Sequence, residues 1–331
     1  MRIVVVLIAA ALVVVAASVP RGLAAESARR PARIGFLSPS SMSDPRTRTF
    51  VEAFRQGMRE LGWVEGRSLT IEYRWADERT ERLLDLAREL ARLNVALIVA
   101  STSPAVQAAK QATTTIPIVM SNAGDAVATG FVSNISHPEA NVTGLSMMGG
   151  ELVGKQLQIL KDAVPGITRV ALLWNPTNAS NGPQLLQAEA AARALGFRLQ
   201  PLEVRAAAEI ETAFAAIARE RAGAVVALLD STLVANRSHI TELAARYRLP
   251  GIYGLTDYAR AGGLMAYGPS VPDMHRRAAA YVDKILKGSK PGDLPIEQPT
   301  RFEFIVNVTA AKSLGVTIPP SILARADEVI Q

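Results

Sequence analysis

From Arg33 onward, short unbroken runs of Val, Ile and Leu alternate with amphipathic segments, and this alternation completes itself twice along the chain. A strand that is apolar at every position is covered on both faces, and helices between successive strands supply the cover, so the pattern dictates a parallel α/β sheet. In the first round, strands are predicted at Arg33–Leu37, Leu69–Tyr73, Val95–Ala100 and Ile116–Met120. Asp44-Pro45 opens a helix with an N-cap acid and a proline at its first position. Phe50, Phe54, Met58 and Leu61 form that helix's apolar face, and Gly62 ends it. A second helix is predicted over Glu81–Leu93, and Ser103-Pro104 caps a third.

The second round begins with a helix over Glu151–Val164. Strands follow at Arg169–Trp174, Arg198–Val204, Ala224–Leu229 and Gly251–Tyr253, with helices between them at Pro183–Leu195, which Gly196 ends, Ala208–Arg219 and Ile240–Tyr247. The Gly- and Met-rich stretch from Thr143 to Gly150 reads as the boundary between two lobes. After it come a strand at Leu264–Tyr267, a helix over Asp273–Leu286 and a long alternating strand over Glu297–Asn307. A tail of that kind after two complete lobes predicts that the chain recrosses and builds a hinge of several strands around a central cleft. The expected division is residues 33–145 plus 270–297 for the first lobe and 146–269 plus 298–331 for the second.

The amino terminus has the layout of a secretory signal peptide over residues 1–25: Arg2, an apolar run from Ile3 to Val19, then Ala24 and Ala25. The apolar run is at the short end of what spans a bilayer. Loss of this segment would take Arg2 and Arg21 off a formal charge of +6. The remaining Lys and Arg are spread beside Glu and Asp with no basic run interleaved with aromatics, which argues against a nucleic-acid groove. The chain has no cysteine, which excludes a disulfide framework, a thiol nucleophile and a lipid-bearing cysteine after the apolar run. An exported, unlipidated protein of this kind suits the periplasm.

Catalytic and cofactor motifs are missing. His137, His239 and His275 lie far apart without carboxylates at metal-ligand spacing, and read as surface or loop histidines. No Walker loop, G-x-S-x-G elbow or G-x-G-x-x-G follows a strand. Neither a cofactor nor a metal is expected.

The informative residues are the polar ones just beyond the strand ends, where open α/β sheets bind ligands. In the first lobe these are Ser40 and Ser41, then Ser101, Thr102 and Ser103, then Asn122 and Asp125. In the second they are Asn175 and Asn178, then Asp230, then Tyr253 and Thr256. A helix starting at Ser103-Pro104 would direct free N–H groups at a carboxylate. Asp125 and Asp230 would meet an ammonium or hydroxyl, and Trp174 lies near enough to the expected cleft to stack on a ring.

Six strings then identify a resemblance. They are FVEAFRQGMRELGWVEGRSLTIEYRWADE (Phe50–Glu78), NVTGLS (Asn141–Ser146), GKQLQILKDAVP (Gly154–Pro165), AGGLMAYGPS (Ala261–Ser270), RRAAAYVDKILKGSKPGDLPIEQPTRFEFIVN (Arg276–Asn307) and AKSLGVTIPPSILARADEVI (Ala311–Ile330). These are similar to the ABC-transporter substrate-binding proteins of the type I periplasmic-binding-protein fold, in the branch with tryptophan- and tyrosine-binding members. The resemblance implies a monomeric, hinge-closing binder that hands a small organic solute to membrane permease subunits, with an aromatic amino acid as one candidate. It also implies cleft positions at Ser40–Ser41, at Thr102, Ser103, Pro104 and Ala105, at Asp125, at Asn175–Asn178, at Asp230, and at Tyr267 with Gly268. Two other readings stay open at this point: a sensing module for a membrane receptor, and an exported hydrolase.

Overall fold

The computed structural model of the chain describes residues 31–138, 140–147 and 149–331. The predicted signal peptide lies outside the described residues. The first sheet is built from β1 (Ala32–Ser38), α1 (Pro45–Glu60), β2 (Leu69–Trp75), α2 (Leu83–Arg92), β3 (Ile98–Ala100), α3 (Ser103–Ala112), β4 (Ile118–Ala123) and β5 (Val142–Ser146). Its strand order is β2-β1-β3-β4-β5, parallel throughout.

The second sheet follows with α4 (Gly149–Ala163), β6 (Arg169–Trp174), α5 (Asn181–Leu195), β7 (Arg198–Glu203), α6 (Ile210–Glu220), β8 (Ala224–Ala227), α7 (Ser231–Ala235), α8 (Arg237–Arg246), β9 (Gly251–Tyr253), α9 (Thr256–Arg260) and β10 (Met265–Pro269). Then come α10 (Val271–Leu286), β11 (Phe302–Asn307), α11 (Val308–Leu314), α12 (Pro320–Leu323) and β12 (Glu328–Ile330). Its strand order is β12-β11-β10-β9-β8-β6-β7, with β10 and β11 as the antiparallel pair. The predicted fold class, two parallel-sheet α/β lobes, is the observed one.

Both faces of each sheet are buried, as unbroken apolar strands require. On β1, Ile34 and Phe36 pack toward Phe54, Met58 and Met274, while Leu37 packs toward Leu90 and Val106 on the other side. On β6, Ala171 and Leu173 face Phe214 and Ile217, and Val170 and Leu172 face Leu157 and Leu160. Strand β7 carries Pro201, which has no N–H to give to a second neighbour; its place at the sheet edge meets that limit.

Helix α1 starts as its sequence dictates. The Asp44 carboxylate accepts the Arg46 N–H at 2.9 Å, and Pro45 takes the first helical position. A cap of this kind stabilises by about 1 kcal/mol. Helix α10 follows a strand of the second sheet yet packs on α1 of the first. Trp63 Nε1 donates to Asp283 at 2.9 Å and Arg276 pairs with Glu60 at 2.8 Å.

Three local expectations need correction. No strand is predicted between Met120 and Arg169, yet Val142–Ser146 is the fifth strand of the first sheet. The long strand over Glu297–Asn307 is two pieces. Glu297 bridges to Leu145 at the edge of the first sheet, whereas Phe302–Asn307 pairs with β10 in the second. Pro299, which has no N–H, falls between them. Finally, Ser103 is the first residue of α3 rather than its cap. Thr102 occupies the cap position, and no side chain caps the helix there.

Candidate ligand-binding site

A cleft of about 860 Å³, the solvent at its mouth included, lies at the carboxyl ends of the strands. One wall comes from the first sheet and its helices: the ends of β1, β3 and β4, the first turns of α1, and α10. The other comes from the approach to α5 and from the ends of β8 and β9. The floor is apolar, with Phe36, Phe50, Val271 and Leu229 among its residues.

Of the residues predicted from strand ends and resemblance, Ser40, Ser101, Thr102, Ser103, Asn122, Asn178 and Asp230 line this cleft. Thr102 sits at φ 73° and ψ 160°, a region that costs a β-branched residue roughly 1–3 kcal/mol. Its N–H is held by Asn122 Oδ1 at 2.9 Å, which also accepts the Ser101 and Ser121 hydroxyls. The first intrahelical bond of α3 runs from Val106 N–H to the Thr102 carbonyl. The N–H groups of Ser103 and Ala105 therefore lie ahead of the helical ladder, where an anion is favoured. The Ser103 hydroxyl is itself committed: it accepts the Gly124 N–H at 2.8 Å and meets the Ser180 hydroxyl at 2.5 Å.

Asn175, Asn178 and Asp230 come together, but chiefly around one another. Asn175 donates to Asp230 Oδ1 at 3.3 Å and Asn178 to Oδ2 at 3.0 Å. Asp230 also accepts the Thr232 and Leu233 N–H groups as the cap of α7. Asn175 lies behind the cleft wall, where its own Oδ1 closes a turn onto Thr177.

The remaining predicted positions do not line the cleft. Ser41 closes a turn onto Ser43, and Asp125 caps the turn at Val127 and Ala128. Pro104 is the second residue of α3, and Ala105 is fully buried in the core beneath it. Tyr253 is buried and stacked on Tyr258, ring centroids 4.5 Å apart. Thr256 starts α9 and accepts from Arg260. Tyr267 stacks on Phe302. Gly268 serves a close approach of backbones: a Cβ there would lie 1.8 Å from the Gly254 carbonyl oxygen. Strand-end logic and carry-over by loop position both locate a loop but not the direction of each side chain in it, which is why these positions were chosen and why they fall outside. The tryptophans are elsewhere too: Trp75 stacks on Tyr73, Trp63 holds Asp283, and Trp174 is packed against the second lobe's core.

Sequence reasoning missed several lining residues. Arg46 directs Nε and Nη2 at Asp44 Oδ2, at 3.1 and 2.8 Å. Burial alone would raise the Asp44 pKa, but the hydrogen bonds and charge of Arg46, with Arg237 nearby, hold it below the usual value. His275 was expected at the surface and is instead buried, 1% exposed, on α10. It stacks on Phe50 with centroids 5.2 Å apart. Nδ1 lies 3.0 Å from the Val271 carbonyl, which only accepts, so Nδ1 carries the proton and Nε2 accepts from Ser121 or Ser101. Burial lowers its pKa to about 4. Ser180, Gln184 and Ser231 complete the polar lining of the second wall. Ser231 follows Asp230 directly, so the strand-end rule already pointed at it. Nothing local marked His275, which α10 brings back from the far end of the sequence.

This arrangement is a two-walled ligand cleft on paired α/β sheets. Residues 40–330 match the ABC transporter substrate binding protein model, and the chain belongs to that family. A curated relative, the tyrosine-binding protein of Clostridioides difficile, is 21% identical over 265 residues, 80% of this chain and 76% of that one. Among solved structures, a conserved domain protein from Vibrio cholerae superposes with a TM-score of 0.86 at 27% identity, covering 91% of this chain and 100% of the other. An ABC domain in complex with L-Trp from Streptococcus pneumoniae gives a TM-score of 0.85 at 22% identity, again covering 91% and 100%. The protein is thus a small-ligand-binding protein of the ABC-transporter class and not an enzyme.

Proposed function

We propose that the protein is exported to the periplasm, closes its two lobes over a small organic solute bearing a carboxylate, and delivers that solute to membrane permease subunits, acting as a monomer. The observation that carries this reading is that one cleft is lined from both sheets. Arg46 and the start of α3 stand on one wall, and Asp230 and Ser231 on the other. A ligand touching both walls favours the closed arrangement by its extra contacts there, and a permease that engages this arrangement would accept loaded protein in preference to empty. The carboxylate is placed against Thr102 and the first N–H groups of α3, with Arg46 beside it. The ligands named for relatives, tyrosine and L-Trp, support a solute with a carboxylate and an apolar body.

A thermal-shift screen tests this reading, with amino acids, aromatic acids, dicarboxylates, sugars and nucleosides as the panel. A ligand at about 100 times its dissociation constant stabilises by roughly 2.7 kcal/mol, a rise of a few degrees. A shift confined to carboxylates supports the reading. A shift confined to sugars or nucleosides overturns the carboxylate assignment.

A further inference from the structure

The ionisable side chains lining the cleft are Arg46, Asp230 and His275, and each is already engaged by protein. A carboxylate offers about four acceptor positions. Asp230 already accepts four hydrogen bonds, from Thr232 N–H, Leu233 N–H and Asn175 at Oδ1 and from Asn178 at Oδ2. Arg46 spends Nε and Nη2 on Asp44, leaving Nη1 without a partner among the described residues. His275 is held between Val271 and a serine hydroxyl.

Two hydroxyls stand apart from this saturation. Thr102 Oγ1 and Ser231 Oγ are both shut off from solvent, and neither has a hydrogen-bond partner among the described residues. Both residues line the cleft, Thr102 on the first wall and Ser231 on the second. Buried hydroxyls left unpaired are unfavourable, and a strained backbone such as that of Thr102 persists where the surroundings impose it. A ligand spanning the cleft would satisfy both.

We propose that Thr102 and Ser231 are the ligand's paired hydrogen-bond partners, and that the group facing Ser231 is a neutral hydroxyl or carbonyl rather than an ammonium. The solute class is then a 2-hydroxy or 2-oxo carboxylic acid with an apolar body. Its carboxylate meets Thr102 and Arg46 Nη1, its neutral oxygen meets Ser231, and its body lies along Phe50 and Val271. Asp230 acts as the cap that aims Ser231 and not as a counter-ion. This deepens the carboxylate reading above and rests on it.

Calorimetric titration of protein expressed from the full chain, with L-phenylalanine, 3-phenyllactate, phenylpyruvate and 3-phenylpropionate, tests the assignment. The expected result is that phenyllactate or phenylpyruvate binds at least as tightly as L-phenylalanine. Ser231→Ala should then weaken the tighter of the two about ten-fold, leave 3-phenylpropionate unchanged, and be rescued by Ser231→Thr. Tighter binding of L-phenylalanine than of both oxygen analogues overturns the proposal while sparing the carboxylate reading. So does an equal loss for all acids in Ser231→Ala. Folded protein that binds none of the four acids, while a sugar or nucleoside shifts its melting, removes both.

Discussion

Ser103, at the start of α3, and Ser180, just before α5, meet hydroxyl to hydroxyl at 2.5 Å across the cleft. Ser103 also holds the Gly124 N–H, so three residues from two lobes share one contact. This seam is where the walls close on each other. Ser180→Ala removes one neutral hydrogen bond, worth about 1 kcal/mol. Ligand affinity should fall about five-fold, through faster dissociation, as measured by stopped-flow fluorescence.

Gly124 sits under the same contact. A Cβ at this position would lie 2.3 Å from Ser180 Oγ and 2.6 Å from Ser180 Cβ. Gly124→Ala therefore obstructs closure, while in separated lobes it meets only Ser103 Oγ, at 3.2 Å, which a small shift relieves. Ligand affinity should drop ten-fold or more, with the melting temperature of the ligand-free protein unchanged. A large fall in that temperature would place the clash in the folded core instead.

A second cross-cleft contact is electrostatic. Arg237 Nη1 lies 3.8 Å from Asp44 Oδ2, which Arg46 already engages. Partly exposed pairs of this kind contribute about 0.2–1 kcal/mol and are screened by salt. Arg237→Gln should reduce ligand affinity at most about five-fold at low salt, and the difference from the parent protein should shrink near 1 M salt. Titrations at both ionic strengths check it.

His275 makes stability depend on acidity. In the unfolded chain a histidine titrates near 6.5, whereas burial lowers the folded value to about 4. Between those values the unfolded state takes up a proton that the folded state refuses. The contribution is full above about pH 6.5 and is lost as pH falls toward 4, by roughly 3 kcal/mol at most. Urea midpoints measured from pH 7 down to 4.5 should decline, and His275→Gln should decline less steeply over that range.

Gly268 tests a packing role against a binding role. Its missing Cβ accommodates the Gly254 carbonyl, so Gly268→Ala should destabilise by about 1–3 kcal/mol in chemical denaturation. Ligand affinity of the folded fraction should be unaltered, because Gly268 lies outside the cleft lining.

The periodic apolar strands, the Asp44-Pro45 helix start and the Gly196 helix stop were legible in the sequence, since each is decided within a few residues by propensity, capping or backbone freedom. Gly196 takes φ 77° as the left-handed cap of α5. Strand ends were equally legible, which is why Ser40, Thr102, Ser103, Asn178 and Asp230 were named in advance of any structure. The strand Val142–Ser146 was not, because Thr143, Gly144 and Ser146 lack the apolar run that marks a strand, and its pairing with β4 comes from the sheet beside it.

By itself, then, the sequence determined the fold class, the order of most elements and the end of the sheets at which a ligand is met, because those follow from local spacing and from the two-sided burial of parallel strands. The tertiary structure alone decided the rest. It turned Asn175 inward to hold Asp230, buried His275 against Phe50 in the cleft wall, and split Glu297 from Phe302 so that one stretch serves two sheets. Which way a side chain points, and what it meets, is set by contacts between residues far apart in the chain, and no spacing along the chain encodes them.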